Sequence, residues 1–175
     1  MKLDKQNKLA LLVIDVQQDL FQKSHPVYKA DELLDNINSL VERAHQAGVP
    51  IFYIQHSDQR DLIKGSAGWQ LHPRLQPQKK DYRVSKLKSN SFENTNLDEI
   101  LKSMGVDHVV ITGMVTHGCV KNGCIGAKLL GYKVTLAQDA HSNFSGKAAQ
   151  LIEEWNEKLR LEKVELKLAS EITFA

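Results

Sequence analysis

Three side chains in this 175-residue chain have the types needed for acyl transfer, and each follows a run that reads as a strand. Cys119 closes the stretch Val109-Val110-Ile111-Thr112-Gly113-Met114-Val115-Thr116-His117-Gly118-Cys119-Val120. Its β-branched opening suits a strand buried on both faces, and the run breaks at Gly113. The thiol falls where the next helical pattern begins. Unpaired backbone N–H groups and the positive end of a helix dipole there favour thiolate. Asp15 ends the apolar run Leu9-Ala10-Leu11-Leu12-Val13-Ile14. A charge placed after so apolar a segment must be paired or functional if it is buried. A lysine, Lys86 or Lys88, follows a short strand expected over Tyr82 to Ser85. A carboxylate to accept the thiol proton, an ammonium to stabilise thiolate and backbone N–H groups to hold an oxyanion make a consistent set. The chemistry they predict is acyl transfer to Cys119, followed by hydrolysis of the thioester.

The elements that must position these groups are legible as alternating strands and helices. From Asp31, apolar residues recur at three- and four-residue spacings through Leu33, Leu34, Ile37, Leu40, Val41 and Ala44. That spacing predicts a helix, with Asp31 as N-cap and Gly48 just past its end. Val49 to Ile54 is the second strand. His56 to Lys80 carries Gly65, Gly68, Pro73 and Pro77 and has no period. A loop of this length in a small domain is usually functional, and Trp69 and Leu71 argue that it is packed. Thr95 is the expected cap of a helix ending before Gly105. The strand over Val109 to Thr112 leads into a helix from about Thr116 to Leu130. Tyr132 to Ala137 is a strand ending near Asp139. Lys147 to Leu159 is helical and Val164 to Leu168 is a last strand. This alternation predicts an α/β fold: a three-layer α/β/α sandwich on a parallel sheet of about six strands, in the Rossmann-like order 3-2-1-4-5-6, formed by residues 1–175 as one domain. In such sheets ligands bind beyond the carboxyl ends of the strands. Asp15, Gln17, His56, Asp58, Lys86 and Cys119 all fall on that rim.

Bulk properties exclude other classes. Hydrophobic content of 42% and charged content of 25% are ordinary for a globular chain. A formal net charge of +2, with scattered Lys and Arg, does not point to nucleic acid. No apolar run approaches a membrane span. Cys119 and Cys124 are the two cysteines, five residues apart. On one helix that separation points them in different directions, so no mutual disulfide is expected, and Cys124 reads as helix packing. No secretory leader is visible at the start. The expected compartment is the cytoplasm.

Three segments resemble the isochorismatase-like cysteine hydrolases. Leu11-Leu12-Val13-Ile14-Asp15-Val16-Gln17 is similar to the family's opening motif, and Ile111 through Val120 to its nucleophile motif. Lys86 followed by Ser91-Phe92 and Thr95-Asn96-Leu97 is similar to the segment that carries its lysine. Gly131-Tyr132-Lys133-Val134 and Asp139-Ala140-His141 continue the likeness, which runs from about Leu9 to Asp139. The resemblance implies an Asp–Lys–Cys triad of Asp15, Lys86 and Cys119, and so selects Lys86 over Lys88. It also implies a cis peptide at Met114-Val115, aiming the Val115 N–H with that of Cys119 at an oxyanion. Isochorismatases proper cleave a vinyl ether without the cysteine, so Cys119 favours the amidase branch, related to nicotinamidase and carbamoylsarcosine amidase. Nicotinamidases bind a metal through an Asp and two histidines after the second strand. Here His56, Asp58 and His72 lack the compact Asp-x-His arrangement, so no metal and no cofactor are expected. Gln17, Phe21, Trp69, Phe92 and His117 are the expected lining of the substrate pocket. The expected partners are a small-molecule substrate and further copies of the chain, with no nucleic acid and no membrane.

The leading expectation is therefore a cysteine hydrolase acting on a small amide-type C–N bond. An ether- or ester-cleaving hydrolase of the isochorismatase kind is the alternative within enzymes. A non-catalytic α/β module that binds a small ligand at the same rim is the alternative outside them.

Overall fold

The structure is a computed structural model that describes residues 8–174. Six strands form one sheet in the order β3-β2-β1-β4-β5-β6. They are β1 (Leu9–Ile14), β2 (Ile51–His56), β3 (Tyr82–Lys86), β4 (His108–Met114), β5 (Lys133–Ser142) and β6 (Glu165–Lys167). Every pairing is parallel. The helices are α1 (Ala30–Gln46), α2 (Leu97–Ser103), α3 (Lys121–Leu129) and α4 (Ala148–Leu161). Both the α/β/α class and the strand order expected from the alternation of patterns are present.

The apolar alternation along β1 explains the layers. Leu11 and Val13 join the core beneath α1, with Leu33, Leu34, Ile37 and Leu40. Ala10, Leu12 and Ile14 join the opposite core, with Leu97 and Leu101 of α2, Cys124 and Ala127 of α3, and Leu159 of α4. β1 is buried on both faces, and each fully buried Leu or Ile contributes about 1.5–3 kcal/mol. This burial sets β1 and β4 side by side at the sheet's centre. The chain reverses its direction of winding between them, which is where α/β sheets open a crevice.

Several boundaries differ from the sequence expectation. α1 starts at Ala30, two residues early, after Lys29 in the left-handed region, and no side chain caps it. Asp31 instead lies in the first turn and pairs with Arg74. α2 starts at Leu97, because the Thr95 hydroxyl donates to the Ser91 carbonyl at 2.6 Å. β5 continues past Asp139 to Ser142, so Asp139 is not at a strand end. Its carboxylate accepts the Ala169 N–H at 2.7 Å and ties down the C-terminal segment. The segment from residue 57 to 81 is irregular but packed. Leu62, Leu71 and Leu75 are buried, and an isolated antiparallel bridge joins Gln17 to Leu71. Among the described residues no helix is long and apolar enough to cross a membrane.

Candidate active site

Asp15 is the residue after β1, and its N–H donates to the Ile54 carbonyl of β2 at 2.8 Å. It adopts φ 53°, a left-handed conformation that Asp tolerates better than most residues. Lys86 is the last residue of β3 and is 1% exposed. The register sets it beside His56, the last residue of β2. Cys119 comes from the opposite side of the crevice, five residues after β4 ends.

These elements bring the three groups together. Lys86 Nζ is 3.1 Å from Asp15 Oδ2 and 3.2 Å from Cys119 Sγ. It also lies 3.0 Å from His56 Nδ1 and 3.2 Å from the Lys88 carbonyl. Lys88 thus contributes backbone only. Asp15 Oδ1 is buried with no hydrogen-bond partner. An oxygen left bare in this way is suited to receive the thiol proton. Beyond the sulfur, Ser89 Oγ stands 3.8 Å from Sγ and accepts a 2.7 Å bond from Asn122 Nδ2.

The turn carrying the thiol differs from the expected helix start. Residues Thr116–Val120 form a π-type turn, with Gly118 far from helical geometry, and α3 begins only at Lys121. Cys119 therefore stands outside the first turn of α3. Burial, with Asp15 adding to it, pushes its thiol up to about 11 against the opposing effect of Lys86. These surroundings oppose the thiolate that a helix start would favour. Cys124 is fully buried and its thiol is pushed up to about 12. The Met114-Val115 peptide is cis. Val115 N–H donates to no backbone acceptor among the described residues.

A buried polar chain holds this turn from behind. Asn143 Nδ2 donates to Thr116 Oγ1 at 3.3 Å, and Thr116 Oγ1 lies 2.9 Å from His141 Nδ1. His141 Nε2 is 2.7 Å from Asn156 Oδ1, and Asn156 Nδ2 donates to the Gln138 carbonyl. The consistent assignment has Nε2–H donating and Nδ1 accepting, a neutral ring. Burial lowers the His141 pKa to about 4. An unfolded chain would protonate this ring below about pH 6.5, while the folded chain holds it neutral down to about pH 4. Stability is then expected to fall as pH drops through that window and to level off below it. The loss from this ring is on the order of 3 kcal/mol. Urea unfolding across the window checks it, with His141→Gln expected to flatten the pH dependence.

The expected pocket residues have mixed placements. Gln17 is fully buried, and backbone groups saturate its amide. Its Nε2 donates to the His56 and Trp69 carbonyls at 3.0 and 2.9 Å, and its Oε1 accepts the His56 N–H at 2.9 Å. It clamps the end of β2. Phe92 is buried in the core against Tyr132, with ring centroids 5.8 Å apart. Cys119 packs against the same cluster. Phe21 packs on His72 at 4.4 Å and against the core beneath α1, the sheet face opposite the one Cys119 packs on. Trp69 is half-buried, its Nε1 donating to Ser57 Oγ at 2.9 Å. His117 is exposed on the Thr116–Val120 turn.

A metal held by an Asp and two histidines after β2 does not fit these residues. Asp58 Oδ1 accepts the N–H groups of Arg60, Asp61 and Leu62, and Asp58 and His72 do not gather with His56 into a ligand group. His72 Nδ1 accepts the Arg74 N–H. Asp15, His56 and Cys119 do converge within 4.8 Å of one another. The Lys86 ammonium already bonds to all three, so it stands where a cation would sit.

The contact of His56 with Lys86, the Ser89–Asn122 pair and the Thr116–His141 chain go beyond the sequence expectation. A signal for His56 was available: it ends an apolar strand on the ligand-binding rim.

A parallel sheet with a thiol, an ammonium and a carboxylate gathered at its switch point defines a narrow class of α/β proteins, and comparison with known proteins agrees. The family profile for the isochorismatase domain matches residues 9–154. The chain belongs to the isochorismatase family. A streptothricin hydrolase of Streptomyces noursei is 30% identical over 142 residues, covering 80% of this chain and 51% of the relative. The chain therefore spans about half the length of that relative. Nicotinamidase 3 of Arabidopsis thaliana is 26% identical, covering 82% of this chain and 78% of its own length. A crystal structure of an isochorismatase family protein superposes with a TM-score of 0.87 at 28% identity, covering 91% of this chain and 98% of that one.

Proposed function

We propose that this protein is a cysteine hydrolase that cleaves a small-molecule amide through a thioester on Cys119. One observation carries the reading. Lys86 Nζ bonds to both Asp15 Oδ2 and Cys119 Sγ, while Asp15 Oδ1 is buried and bare. Because burial raises the thiol, loss of its proton accompanies attack. Asp15 Oδ1 takes the thiol proton as Sγ bonds to the carbonyl carbon. The N–H groups of Val115 and Cys119 receive the oxyanion. Asp15 returns its proton to the leaving nitrogen as the C–N bond breaks. Water then attacks the thioester with Asp15 again as base, releasing the acid and restoring the thiol. Lys86 holds the developing negative charge between its two neighbours throughout. Relatives named streptothricin hydrolase and nicotinamidase support hydrolysis as the reaction class.

The test is a panel of small amides, assayed for release of ammonia or amine. Turnover of at least one is expected, with an acyl adduct on Cys119 caught by mass spectrometry after acid quench. Cys119→Ala is expected to lose at least about a thousandfold in rate. An alanine variant that keeps full turnover would sink the thioester route and favour the ether-cleaving alternative. We extend the reading to one domain that assembles into a homo-oligomer. Leu129 and Leu161, 82% and 74% exposed, support an unsatisfied apolar surface. Sedimentation velocity showing only a monomer would remove that part.

A further inference from the structure

We propose that His56 is a positioning residue of this cluster: its unprotonated Nδ1 accepts a hydrogen bond from the Lys86 ammonium and fixes that ammonium between Asp15 and Cys119. The inference rests on reading the cluster as an acyl-transfer site.

The geometry is built rather than incidental. His56 and Lys86 are register partners at the ends of adjacent parallel strands, and Nδ1 lies 3.0 Å from Nζ. The His56 backbone is held on both sides by the buried Gln17 amide, which accepts its N–H and donates to its carbonyl. An ammonium has three hydrogens. Lys86 Nζ has four acceptors around it: Asp15 Oδ2, His56 Nδ1, the Lys88 carbonyl and Cys119 Sγ. The four acceptors, Cys119 Sγ included, share those three hydrogens. When the sulfur becomes anionic its share strengthens, while the remaining acceptors keep Nζ in place.

His56 can fill this role only as a neutral ring. Its surroundings favour that form: burial and then Lys86 lower its pKa, against weaker opposing effects of Asp15, Asp58 and the Lys88 backbone. These groups and Cys119 are the charged and titratable neighbours that face the ring. Protonation would set two donors and two cations 3.0 Å apart. Lys86 is buried and has no solvent to retreat into, so the contact would break and the ammonium would leave the sulfur. Activity should therefore fall on the acid side as His56 titrates.

Long-range proton–nitrogen NMR of the full chain at about pH 7.5 reads the ring directly. An acceptor-type Nδ1 with a protonated Nε2 is expected, titrating below the ordinary histidine value. In Lys86→Met the midpoint should rise by at least about one pH unit, because the neighbouring cation is gone. An imidazolium or an Nδ1–H ring in the wild type overturns the proposal, as does a midpoint that Lys86→Met leaves unmoved. The wild-type spectrum decides even if that variant does not fold. With p-nitrophenyl acetate as the acyl donor, His56→Leu should lower kcat about tenfold or more with little change in KM. His56→Asn, whose amide oxygen accepts and does not titrate, should restore most of kcat and remove the acid limb. Wild-type kcat and pH profile in His56→Leu overturns the positioning role. If Cys119→Ala hydrolyses the ester as fast as wild type, the acyl-transfer reading has failed, while the spectra still decide the His56–Lys86 contact.

Discussion

Asp15→Asn is expected to lower kcat/KM on any amide this chain hydrolyses by roughly a thousand- to ten-thousandfold. The substitution removes the proposed base and also the anion that the buried ammonium depends on. Lys86 and Asp15 have side chains only 0% and 4% exposed, with 3.1 Å between Nζ and Oδ2. Breaking a buried pair by removing one partner typically costs about 3–5 kcal/mol, because the other charge is left uncompensated. Stability measured by urea unfolding should therefore fall together with activity. The two effects separate in a double variant. Asp15→Asn with Lys86→Met leaves no orphaned charge, so part of the stability should return while hydrolysis stays lost. A single Asp15→Asn chain that turns over amides near the wild-type rate would remove Asp15 as the proton acceptor. One that is inactive but fully stable would show that Lys86 does not need its anion.

Gly113→Ala is expected to abolish folding or leave a chain that unfolds near room temperature. Gly113 adopts φ 119°, where an L side chain is strained whatever the space around it. Space is also lacking: a Cβ there would lie 2.0 Å from the Ile14 carbonyl oxygen and 2.7 Å from the Ile14 nitrogen. Ile14 is the register partner of Gly113 across the β1–β4 ladder. Both offending atoms are backbone, so relief means opening the central strand pair next to Asp15. A cost of more than about 4 kcal/mol is the scale for forced backbone clashes in a core, against a total stability of about 5–15 kcal/mol. Circular dichroism and urea midpoints check this, with Gly146→Ala as the comparison. A Cβ at Gly146 meets nothing within 4 Å, and that change should be nearly neutral. A well-folded Gly113→Ala chain would mean that β1 and β4 separate more cheaply than their burial implies.

Several residues show how much of the site is legible in one dimension. Asp15, Lys86 and Cys119 stand out because each follows a strand-like run, and an α/β alternation sends all such ends to one rim. Gln17 and Phe92 carry side chains that pockets and cores both draw on. Only contacts show that the Gln17 amide is saturated by backbone and that Phe92 is closed over by Tyr132. His56 was visible as a polar strand end, but its place beside Lys86 depends on the β2–β3 register, which lies across 25 irregular residues from 57 to 81.

What the sequence by itself determined is the order of strands and helices, the sheet's class and the three reactive groups delivered to its carboxyl edge. Period and composition are local properties, and they suffice for that much. The surroundings that act on the Cys119 thiol are set by tertiary structure alone. Helix-start chemistry favours thiolate, but a π-type turn displaces the sulfur from α3, and burial beside Asp15 then outweighs Lys86 and raises the thiol to about 11. Desolvation and neighbouring charge act through space, on distances that no spacing along the chain records.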